Sequence, residues 1–157
     1  VVFPLEILPV ISMGAALFHG LISLGVLLIA FAMFHWTAIF TPLVALPLII
    51  LTLGLAWMLA SLGVFLRDVG QTIGIITLVM MFLAPVFYPV TAVPEEFRPW
   101  LMANPLTFII EQAREVLIWG HLPDWIGLGI YTCVATLVAW AGYAWFQKTR
   151  KGFADVL

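Results

Sequence analysis

The ionisable residues of this chain concentrate in one stretch. Glu95, Glu96, Glu111, Arg114, Glu115, His121 and Asp124 all fall between positions 95 and 124. Grouped carboxylates are the raw material of general acid–base catalysis, which needs two groups at a defined separation. With His121 near Glu115 and Asp124, they are also the raw material of a metal site. The spacing argues for neither. No H-E-x-x-H pattern is present. Glu95 and Glu96 directly follow Pro94, where acids face the positive end of a helix dipole. Glu111 and Arg114 stand three apart, as an ion pair on one helix face requires. Capping, pairing and solvation therefore account for the acids. A membrane-embedded enzyme using them on an exposed lipid is the competing reading. His19 and His35 are isolated from acids in sequence. Cys133 is the single cysteine, which excludes an internal disulfide framework and a Cys-rich zinc site. No G-x-x-x-x-G-K-[ST] loop occurs, so work driven by ATP would need an ATPase on another chain.

The elements that position these residues follow from composition. Of 157 residues, 64% are apolar and only 9% charged, against roughly 45–50% and 25% in soluble domains. So few charges cannot cover a water-facing surface. A soluble enzyme and a disordered chain are excluded. A net charge of −2 leaves no basic footprint for nucleic acid. The expectation is an all-α polytopic membrane helix bundle. Between Glu6 and Arg67 lies an uncharged run of 60 residues. A crossing takes about 20 residues, so this run holds two spans, 11–33 and 43–66. His35, Trp36, Thr37, Thr41 and Pro42 mark a turn at Phe34–Pro42 between them. A third span is expected at 71–87, bent or ended by Pro85 and Pro89, and a fourth at 125–146. The lysines and arginines set orientation. Arg67, Lys148, Arg150 and Lys151 share one side, whereas Arg98 and Arg114 are alone on the other. The 1–10 segment and the 147–157 tail are therefore expected in the cytoplasm. The chain opens on Val1-Val2-Phe3-Pro4, with neither an initiator Met nor a signal sequence, and reads as the C-terminal part of a longer protein.

The exterior segment 88–124 is too apolar for a plain loop. Pro94–Met102 reads as a short helix. Asn104 and Pro105 read as N-cap and first residue of a second, Pro105–Trp119, stopped by Gly120. Two such helices either dip into the outer leaflet as a re-entrant gate or lie flat on the membrane surface. Irregular backbone at depth is tolerated only when buried in protein or lining a wet cavity. Trp36, Tyr88, Trp100, Trp119 and Trp125 fall at exterior boundaries, and Tyr143 and Trp145 at the interior one. They either form the ordinary interfacial belt or line a channel and stack on sugar rings. Gly70 with Gly74, and Ser12 with Ala16 and Gly20, are small-residue pairs that permit close helix approach. Arg67-Asp68 is either a tight cytoplasmic turn or a contact for a cytoplasmic partner.

Five segments in order carry a family resemblance. They are Val1–Pro9 (VVFPLEILP), Phe65–Val69 (FLRDV), Pro85–Pro89 (PVFYP), Asn104–Leu106 (NPL) and the tail Phe146–Leu157 (FQKTRKGFADVL). Together they resemble the permease subunit of type-2 ABC exporters, most nearly the branch that exports O-antigen, capsular polysaccharide and teichoic acid.

The resemblance implies a bacterial inner-membrane, multi-pass permease of six spans, of which the last four are present here. It implies a homodimer with a second permease copy, and two copies of a cytoplasmic ABC ATPase that carries the ATP and Mg. No cofactor is implied on this chain. The substrate implied is a lipid-linked glycan; a related permease for lipid or drug is the alternative. A coupling segment would match Phe3, Pro4, Glu6 and Pro9, joined by Arg67 and Asp68. The re-entrant gate would match Pro94–Trp119, with Phe87, Tyr88, Trp100, Asn104, Pro105, Glu111 and Arg114 as exterior gate or channel residues.

Overall fold

The computed structural model describes residues 7–32, 35–66 and 68–155. Its regular elements are helical throughout. The order is α1 (Ile7–Ala32), a 3-10 turn (Trp36–Phe40), α2 (Thr41–Phe65), α3 (Val69–Leu83), two 3-10 turns, α4 (Arg98–Ala103), α5 (Pro105–Arg114), a π-turn (Glu115–Trp119) and α6 (Trp125–Thr149). A final 3-10 stretch covers Arg150–Asp155.

At about 1.5 Å per residue, the 26 residues of α1 and the 25 each of α2 and α6 run close to 38 Å. That exceeds the ~30 Å hydrocarbon thickness. Together with their apolar composition, this makes them the three helices among the described residues able to cross a membrane. They are apolar around the whole circumference, as a lipid-embedded helix is.

The third helix departs from the expected 71–87. It begins at Val69 and ends at Leu83, 15 residues in all, or about 22 Å. The physical reason is Pro85. Its ring disfavours the α conformation in the preceding residue, and Ala84 is extended at φ −74°, ψ 131°. The other helices also differ at their ends. Pro42 sits in the first turn of α2, where its missing N–H costs nothing. Asp124 caps α6, accepting from the amides of Ile126 and Gly127 at 3.1 Å each.

The principal seam joins α2 to α6. It closes on Gly54 and Gly142, whose backbones meet. A Cβ on Gly54 would lie 2.5 Å from Ala139 Cα, and one on Gly142 would strike the Gly54 carbonyl. Toward one end, Ser61 is fully buried. Its hydroxyl accepts from Trp145 Nε1 (2.8 Å) and Thr149 Oγ1 (2.9 Å). Toward the other end, Val44, Ile109, Val116 and Leu128 form the buried cluster, flanked by Phe40, Leu48, Phe108 and Tyr131. Among the described residues, nothing beyond its own helix backbone and chain neighbours comes within 4 Å of a notional Cβ on Gly14, Gly20, Gly70 or Gly74. Gly20, Gly70 and Gly74 thus make no close helix contact among the described residues of this single chain, where the close approach falls at Gly54 and Gly142.

Candidate functional site

The polar interactions gather where α3, α5 and the connections around them meet. Each has a local cause. After Ala84 the backbone carries two prolines, Pro85 and Pro89, and so is short of N–H donors to satisfy its own carbonyls. Arg114 supplies them from α5. Its Nη2 lies 2.5 Å from Pro85 O and 3.4 Å from both Val86 O and Tyr88 O. Its Nη1 pairs with Glu111, the partner expected three residues away. The Arg114 side chain is only 15% exposed, so the carboxylate partly offsets the desolvation of the guanidinium.

Asn104 does two jobs. Its Oδ1 accepts from Leu106 N at 3.0 Å, capping α5, as the Asn-Pro pair predicts. Its Nδ2 donates to Met80 O in α3 at 2.9 Å. Nearby, the buried Thr107 hydroxyl donates to Leu101 O at 2.6 Å and locks α4 to α5. Tyr131 from α6 donates to Pro105 O at 2.9 Å. The entry to α4 is held by Arg98, which donates to Val93 O (3.1 Å) and Thr91 O (3.3 Å) and lies 3.5 Å from Glu95.

Beyond Arg114 the helix widens into the π-turn and stops at Gly120, whose φ of +70° is the left-handed stop that glycine permits. The ring of His35 lies against Gly120, leaving no space there for a Cβ. Fully buried Thr37 donates to Val116 O at 2.7 Å, tying the α1–α2 turn to the π-turn. Gln112 Oε1 accepts from Asp124 N at 2.7 Å. His121 Nδ1 meets Glu115 Oε2 at 2.6 Å on the surface. Asp124 is turned to the start of α6 instead. Among the described residues no three His, Cys, Asp or Glu side chains come together to hold a metal ion. None of their buried side-chain polar atoms lacks a hydrogen bond. This degree of satisfaction is what irregular backbone at membrane depth demands.

The sequence-derived gate residues divide in two. Asn104, Pro105, Glu111 and Arg114 belong to the polar network, and half-buried Tyr88 joins it through its hydroxyl, 3.4 Å from Leu83 O. Phe87 is 98% exposed and Trp100 73% exposed, so both project from the bundle. Of the coupling residues, Phe3, Pro4, Glu6 and Arg67 lie outside the described residues. Pro9 is in the first turn of α1, and Asp68 immediately precedes α3. The sequence marked Thr37 as a turn residue only, and gave no sign of the roles of Gln112 and Tyr131 or of the Gly54–Gly142 contact. The partner of each is distant in the chain, 12 residues away for Gln112 and 26 or more for Tyr131 and Thr37.

Long apolar helices, a hydrogen-bonded pair of short helices between two of them and charges kept to the connections and the end of α6 define a multi-pass membrane protein. Residues 1–118 match the family described as ABC-2 type transporter, and the chain belongs to that family. It is 27% identical over 159 residues to the O-antigen export system permease protein RfbA of Myxococcus xanthus, covering 98% of this chain and 61% of that protein. It is 25% identical over 162 residues to a protein of the same name from Klebsiella pneumoniae, covering 99% and 62%. The polysialic acid transport protein KpsM of Escherichia coli is 25% identical over 104 residues, 66% of this chain and 40% of its own length. The chain thus spans about three-fifths of the O-antigen permeases that it matches.

Proposed function

We propose that this chain is the greater part of a permease that exports a lipid-linked polysaccharide across the bacterial inner membrane, driven by ATP hydrolysed on a separate subunit. The observation that carries the reading is similarity over nearly the whole chain to two O-antigen export permeases. The proposed assembly is two permease copies with two ATPase copies, the C-terminal tail facing the cytoplasm. ATP and Mg are held by the ATPase and none by this chain.

In this scheme the coupling segment, with Phe3, Pro4, Glu6 and Pro9, receives the ATPase's closing motion beside Arg67 and Asp68. The re-entrant helix pair α4–α5 is the exterior gate. Its polar groups bond one another, which suits an element that must stay folded at membrane depth. Phe87, Tyr88 and Trp100 offer aromatic faces to a passing glycan, and aromatic rings present an apolar body for stacking at low conformational cost.

The test is ATP-dependent movement of lipid-linked glycan in inverted vesicles holding the full-length permease and its ATPase. Intact protein is expected to transport. Glu6→Ala combined with Pro4→Ala is expected to insert normally and lose most transport. Undiminished transport by that variant overturns the coupling assignment, and failure of the intact pair to move glycan overturns the function.

A further inference from the structure

Helix α3 differs from its neighbours in how it is held. None of its residues is buried, and its glycines Gly70 and Gly74 face open space. Helix α5, by contrast, is seated in the bundle. Its Ile109 belongs to the buried cluster with Val44 of α2 and Leu128 of α6. The two helices are joined at the outer end of α3 by polar contacts that all originate in α5 or its cap. Asn104 Nδ2 reaches Met80 O, and Arg114 reaches the carbonyls of Pro85, Val86 and Tyr88. Between these points Ala84 is 3% exposed and Pro85 is fully buried, whereas Phe87 is 98% exposed. Within this chain, α3 is therefore held to the packed body at its outer end by directional bonds.

We infer that Asn104 and Arg114 form a two-point latch that holds the outer end of α3 on α5, and that its release lets α3 and the 84–89 connection swing outward as a unit. Hydrogen bonds weaken steeply with misalignment, so such a latch is either closed or open, where an apolar contact would slide. The arginine's planar fork pairs Glu111 through Nη1 while Nη2 reaches the carbonyls, a fixed two-sided geometry that lysine's single ammonium cannot reproduce. Glu111 holds that fork and offsets its charge. The latch rests on the fold alone; its opening during turnover rests on the proposed permease reading.

The test uses the full-length permease in lipid nanodiscs, where both membrane faces are open to solution, with Cys133 and any other cysteine replaced by serine and a single reporter, Ala84→Cys, exposed to a water-soluble maleimide. Arg114→Gln and Asn104→Asp are compared with the parent. The aspartate retains an oxygen to cap Leu106 N but sets an acceptor against Met80 O, so α5 keeps its cap. Each variant is expected to label position 84 faster by about tenfold, the shift in opening equilibrium implied by losing one hydrogen bond to a charged or buried group. Arg114→Lys should fall between parent and glutamine. A second reporter in fully buried Ala135, Ala135→Cys, should stay protected in every variant. Unchanged labelling at position 84 overturns the latch, and so does simultaneous exposure of position 135, because the residues would then hold the whole bundle. Adding ATP and the ATPase to the parent should speed labelling at position 84. No response to ATP, with the variants still fast and the intact pair still moving glycan, overturns the gating role but neither the latch nor the permease reading, which the transport assay decides.

Discussion

Substituting Gly142 by alanine tests the α2–α6 seam directly. The added Cβ would strike the Gly54 carbonyl oxygen, and would stand 2.9 Å from Gly54 C and 3.2 Å from its Cα. Ordinary carbon–carbon contact is about 3.5–4.0 Å, so the helices must part by on the order of 0.5–1 Å. The obstruction is backbone on both sides and no side chain can rotate away. A gap of that size forfeits a quarter to a half of each contact's dispersion energy, and it opens along a seam that includes Ser61, Ala135 and Phe146. Overpacking of this kind costs about 1–3 kcal/mol. Replacing glycine in a helix returns about 1 kcal/mol, leaving a net loss of roughly 0–2 kcal/mol, toward the upper end here because the obstruction is backbone. The internal control is Gly129→Ala in the same helix, where nothing lies within 4 Å of the new atom. It gains the propensity term alone. Thermal unfolding of the full-length protein in detergent should therefore rank Gly129→Ala at or above the parent and Gly142→Ala several degrees below it. If the two alanines melt together, the helices do not touch at Gly54 and Gly142, and the reasoning fails.

Two further substitutions probe polar contacts inside the bundle. Ser61→Ala removes the acceptor for Trp145 Nε1 and Thr149 Oγ1. Thr149 still reaches Trp145 O at 2.9 Å, so the cost should be near 1 kcal/mol, the low end for a lost buried acceptor. Pairing it with Trp145→Phe in a double-mutant cycle should give a positive coupling energy, and strict additivity would rule out the contact. Thr37→Val keeps shape but strands Val116 O, at an expected cost of about 1–3 kcal/mol. Amide exchange should quicken across Val116–His121 and stay unchanged in the middle of α2.

Much of the helical layout was written in short-range chemistry. The uncharged run placed α1 and α2, Asn104-Pro105 placed the start of α5, and Gly120 placed the end of the π-turn that continues it, because capping and charge exclusion act within a few residues. The Glu111–Arg114 pair was legible for the same reason. The end of α3 was misplaced by four residues: the prolines were noticed, but the effect of Pro85 falls on the residue before it. The π-turn left no readable signal, since Glu115–Trp119 fits an α-helical pattern equally well. Of the candidate gate, the sequence found the residues but not their targets: the carbonyls that Arg114 and Asn104 reach lie 24 to 29 positions away, or 26 and 28 for Tyr88 and Val86.

The division has a physical basis. Hydrophobic length and charge exclusion act through the bilayer on each segment separately, so the sequence by itself determined that the chain is a membrane-embedded, all-helical protein with its charges in the connections. In an apolar medium no periodic stripe distinguishes the face that meets a neighbouring helix from the face that meets lipid. Which glycines close a seam, which carbonyl takes an arginine and which helix is left unburied were therefore decided only by tertiary structure.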